Sequence, residues 1–61
     1  MDVRVGDVYK HAWNGRFYTV KRVSKTRITV VVWPYDVTVT YSRYKFHKLI
    51  NDEIIHPNQR P

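Results

Sequence analysis

From Arg16 to Ser42 the chain alternates apolar and polar side chains with period two, in three runs separated by turn residues. Only a strand places residues i, i+2 and i+4 on one face, so three consecutive antiparallel strands constrain the fold most strongly. The first run, Arg16 to Val23, sends Tyr18 and Val20 one way and Phe17, Thr19 and Lys21 the other. The second, Arg27 to Trp33, sets Ile28, Val30 and Val32 against Arg27, Thr29, Val31 and Trp33. The third, Asp36 to Ser42, turns Val37, Val39 and Tyr41 inward and Thr38 and Thr40 outward. A strand from Val3 to Lys10 precedes them, with a bulge or kink at Gly6-Asp7 that resets the alternation.

After Ser42 the alternation fails. "SRYKFHKLI" starts with an N-cap type of residue and reads as a single 3₁₀ turn followed by a closing strand at Lys48–Ile50. Residues 1–50 thus form the folded unit, and residues 51–61 read as a short mobile tail that holds Pro57 and Pro61. Ile54 and Ile55 are expected either to pack back on the strands or to sit in one helical turn.

Length and charge narrow the class. A chain of 61 residues makes one domain, and folding at this size buries only about 60% of the unfolded surface. The absence of cysteine removes disulfides, thiolate metal sites and thiol nucleophiles together. The N-terminal residues mix both charges without an apolar run, so no signal peptide is expected, and no apolar stretch approaches a membrane span. An intracellular, cytoplasmic setting is the expectation. The formal net charge of +6 favours polyanionic partners.

Five short strands, a long first loop, two tight hairpins and a 3₁₀ turn before the last strand describe a small SH3-like five-stranded barrel. The order "VRVGDVYK", "GRFYTVKRV", "RITVVVW", "VTVTY" and "SRYKFHKLI" resembles that of small SH3-like β-barrel proteins of bacteria and phages. The resemblance implies an all-β binding module in a bacterial host cell. The layout also resembles the plasmid-borne type II dihydrofolate reductase core. That family's Val-Gln-Ile-Tyr signature is missing from Val37-Thr38-Val39-Thr40-Tyr41, so its activity does not carry over.

Catalytic chemistry finds little to work with. Asp2, Asp7, Asp36, Asp52 and Glu53 form no convincing pair, and Asp7 and Asp36 read first as turn formers. His11, His47 and His56 have no ligand spacing, so no metal, cofactor or catalytic residue is assigned.

The cations are better organised. Lys21, Arg22, Lys25 and Arg27 cluster around the second hairpin, Lys10 and Arg16 bracket the first loop, and Arg43, Lys45 and Lys48 follow the fourth strand. Antiparallel pairing brings the first loop and the Trp33-Pro34-Tyr35 turn to one end, away from the Lys25 tip. Pro34 suits position i+1 of a type I turn there. Trp13, Trp33 and Tyr35 then gather with Lys10, His11 and Arg16. Rings interleaved with cations suit single-stranded nucleic acid, DNA or RNA, and they equally suit a protein hot spot. Trp13 and Trp33 could instead only cover the ends of the fold.

The expected function is nucleic-acid binding without strong sequence preference. Lys21, Arg22, Lys25, Arg27, Lys10 and Arg16 would meet phosphates, and Trp33, Tyr35 and Trp13 would stack or anchor. The alternative is a protein-binding inhibitor or adaptor that engages an acidic partner surface with the same residues, a phage-encoded protein acting on a host protein being one case. A monomer or weak homo-oligomer is expected, with edge pairing through the Thr-rich fourth strand left open.

Overall fold

A computed structural model of the chain describes residues 3–58. The strands are β1 (Val8–His11), β2 (Phe17–Val23), β3 (Arg27–Trp33), β4 (Val37–Ser42) and β5 (Ile55–Pro57), with a helix α1 (Arg43–Asn51) between the last two. They form one antiparallel sheet in the order β4-β3-β2-β1-β5. The sheet does not close. No ladder joins β4 to β5, and α1 packs instead against β3, β4 and β5.

Period-two alternation places the core. Tyr18 and Val20 of β2 and Ile28, Val30 and Val32 of β3 are buried side by side, with Tyr9, Phe46 and Ile55 closing over them. The ring of Phe46 is fully buried, edge-on to Tyr9 at 5.4 Å and beside Tyr41 at 5.8 Å. It fastens the inner face of β1 and the Tyr41 end of β4 to the helix.

One irregularity matters for the surface. Val20 pairs with Val30 and Arg22 pairs with Thr29, so Lys21 is an extra residue in β2. The bulge restores Val23 to the inner face opposite Ile28 and leaves Lys21 and Arg22 both exposed. Gly6, at φ 96°, and Asp7 sit against it, Gly6 N–H donating to Val20 O and Val20 N–H to Asp7 O, each at 2.8 Å. The first strand is therefore shorter than the sequence suggests. Residues 4–7 turn, with Asp7 Oδ2 accepting from Arg4 N–H, before pairing begins at Val8.

The C-terminal part differs most from expectation. "RYKFHKLIN" forms a nine-residue α-helix, not a 3₁₀ turn, and Lys48–Ile50 lie within it and not in a strand. Ser42 caps it, its Oγ accepting from Lys45 N–H at 3.1 Å. Phe46, Leu49 and Ile50, spaced i, i+3 and i+4, face the sheet. Tyr44 stands on the opposite side and is exposed. The tail expected from residue 51 onward supplies the fifth strand: Ile55, His56 and Pro57 pair with His11, Lys10 and Tyr9, and Ile55 is buried. Pro61 lies outside the described residues.

Candidate nucleic-acid interface

The β2–β3 register decides which rings share a face. Phe17 pairs directly with Trp33, and Lys10 of β1 pairs with Phe17. All three point to the outer face, away from the core. Phe17 meets Trp33 edge-to-face at 5.9 Å, and the Lys10 ammonium lies 5.7 Å from the Phe17 ring. Val8, Phe17, Trp33 and Asn58 line a shallow cleft of about 260 Å³. Trp33 is 60% exposed, so it does not cap the core.

The same face continues toward the second hairpin. Beyond Thr19 and Val31 stand Thr29 and Thr40, joined through their hydroxyls at 3.2 Å, with Arg22 beside them. Four ladder steps separate the Phe17–Trp33 pair from the Arg22–Thr29 pair, roughly 13 Å. Lys25 and Arg27 lie at the hairpin tip, where Ser24 Oγ accepts from Arg27 N–H. Arg43 joins them. Its N–H donates to Thr26 O and its guanidinium to Ser24 O at 3.1 Å. The tip thereby gathers Lys21, Arg22, Lys25, Arg27 and Arg43 with no carboxylate paired to any of them among the described residues.

Arg16 and Tyr35 belong to the other side. The Arg16 guanidinium lies 4.9 Å over the Tyr35 ring, at the mouth of an open trough of about 520 Å³. Tyr18, Val32, Val37, Val39 and Tyr41 form its walls. Val37 is exposed, and Val39 and Tyr41 are only half-buried, although their alternation marks them as inward. The cause is position: β4 is an edge strand, and the helix ring of Phe46 reaches only its Tyr41 end. Burial pushes the Tyr41 phenol above its ordinary value, the Tyr18 phenol adds to this, and the Arg16 charge opposes it.

The three expected rings thus separate. Trp33 stands on the outer face, Tyr35 at the trough, and Trp13 at the first loop, 78% exposed and edge-on to His11 at 5.6 Å. His11 Nδ1 accepts from the Trp13 and Asn14 N–H groups, and Asn14 Oδ1 from Arg16 N–H, which fixes that loop ahead of Gly15 at φ 71°. In the Trp-Pro-Tyr turn the Trp33–Pro34 peptide is cis and Asp36 takes φ 56°, unlike the expected type I turn.

Two residues enter that the expectation named but did not assign to the interface. Phe17 is the second ring of the outer pair, and Arg43 is the fifth cation of the tip. The signal for Phe17 was present, since alternation put it on the face opposite Tyr18. Asp7 is tied to Arg4, and Asp52 pairs with Lys48 at 3.4 Å. No group of three or more His, Asp or Glu side chains gathers among the described residues, and no helix there is long and apolar enough to cross a membrane. Comparison with known proteins finds no matching family, and no similar characterised protein or solved structure.

Proposed function

We propose that this chain is a non-catalytic module that binds single-stranded nucleic acid across the outer face of its sheet. One observation carries the reading: two adjoining rings, Phe17 and Trp33, share a solvent-facing surface with Lys10 at one end and Arg22 at the other. Bases stack on rings whatever their identity, and cations spaced along the same face meet the phosphates that follow. Lys21, Lys25, Arg27 and Arg43 extend the basic path beyond Arg22. Such contacts supply affinity without reading sequence. In this reading the strand order β4-β3-β2-β1-β5 belongs to an SH3-like barrel opened between β4 and β5, and the bacterial or phage setting follows from that resemblance.

The test is fluorescence anisotropy with a labelled single-stranded oligonucleotide, followed at several salt concentrations. Affinity should fall about tenfold or more between 50 and 200 mM salt if a few phosphates are contacted. Trp33→Ala should weaken binding by roughly 5- to 100-fold, the worth of one stacked base. Tyr35→Ala should leave it within about twofold, because Tyr35 faces the trough. Absence of binding at low salt would end this reading. If, in addition, an acidic protein is retained and lost on Tyr35→Ala, the adaptor reading takes its place, with Arg16 as the anchor.

A further inference from the structure

The two edges of the sheet are built differently. The β5 edge has three residues and ends in Pro57, which has no N–H to offer a ladder. The β4 edge runs six residues, Val37-Thr38-Val39-Thr40-Tyr41-Ser42, with no charge, no proline and no bulge. Every residue but Ser42 is a strong strand former. Strands left unpaired in soluble proteins are normally blunted by such a device or covered by a helix or loop; β4 has no charge, proline or bulge, and the α1 ring of Phe46 reaches only its Tyr41 end. Beside it, Val37, Val39 and Tyr41 stay partly uncovered along the trough.

We infer that β4 pairs antiparallel with β4 of a second copy of this chain, about a two-fold axis at Val39. In an antiparallel ladder, residues directly opposite share a face. That axis sets Val39 against Val39, Val37 against Tyr41, and Thr38 against Thr40. The inner face then matches apolar with apolar, and the outer face matches threonine with threonine. A slip of one residue would oppose valines to threonines and turn every inner side chain outward. Asp36, at the start of one strand, comes opposite Ser42 of the second copy, and the two-fold repeats this at the other end.

The cations oppose association without forbidding it. Lys10, Lys21, Arg22 and Lys25 lie on other elements, so their repulsion is long-range and weakens with salt. Dimer formation should therefore strengthen as salt rises, the reverse of nucleic-acid binding. This separates the inference from the proposed function, and neither depends on the other.

Sedimentation equilibrium from low micromolar to several hundred micromolar protein tests it. The 7.4 kDa chain should move toward twice that mass with concentration. Thr38→Lys combined with Thr40→Lys places like charges across both outer pairs and should weaken the dimer about tenfold or more. Thr38→Lys combined with Thr40→Glu places opposite charges across the same pairs and should recover it. Both sites are exposed, so circular dichroism should show each variant folded. A monomer at every concentration overturns the inference, and so does equal behaviour of the two double variants.

Discussion

His47 lies on α1 with its Nε2 buried and no hydrogen-bonding partner among the described residues. A buried polar atom left without a partner costs about 1–3 kcal/mol, and leucine is also the better helix former. His47→Leu should therefore raise stability by about 1 kcal/mol. The measurement is a urea titration whose midpoint moves up with an unchanged slope. An unchanged or lowered midpoint would show that the imidazole contributes more than its shape. At this scale the sequence was readable where alternation settles direction. Phe17 and Trp33 both fell on the face opposite the core, and pairing Arg16 with the Trp33 end of β3 put them close. Their direct contact needed the exact register, Phe17 to Trp33, which a pattern of faces does not supply. Tyr35 could not be assigned to a side at all, because a turn has no period.

Elements with an internal pattern were legible, and elements defined by their neighbours were not. β2, β3 and β4 announce themselves by alternation, and β3 buries the three residues that alternation marks. β5 has three residues, one of them proline, and exists because Tyr9, Lys10 and His11 offer it a partner. The helix stands between these cases. Its Phe46-Leu49-Ile50 spacing is helical, but the stripe spans little more than one turn and Tyr44 lies off it. A helix this short depends on its cap and its packing. Ser42 is thus worth testing: Ser42→Ala removes the acceptor for Lys45 N–H and should cost about 1 kcal/mol. Ser42→Asp keeps an acceptor and adds negative charge at a helix start whose first turn holds no acid. It should retain or exceed the native stability. Thermal unfolding of the two variants checks both directions, and equal losses would mean that the hydroxyl does not cap the helix.

For the whole molecule, charge governs two salt dependences of opposite sign. The net charge is +6, and the Lys48–Asp52 pair is the single salt bridge among the described residues. The Cα envelope measures 27 × 24 × 22 Å. At about 10 mM salt the screening length is about 30 Å, so every cation feels the others across the fold. Folding brings these charges together, and unfolding relieves them. Added sodium chloride should therefore raise the unfolding temperature between about 10 and 500 mM, with most of the gain below about 100 mM, where the screening length drops to about 10 Å. Chloride is the right salt because sulfate would stabilise by exclusion and imitate screening. Over the same range, affinity for a single strand should fall, since each phosphate contact releases counterions. A fold held mainly by surface ion pairs would lose stability as salt rises. A flat or falling unfolding temperature would thus show that the cations are paired in ways the single Lys48–Asp52 bridge does not represent, and the free basic path from Arg22 to Arg43 would lose its basis.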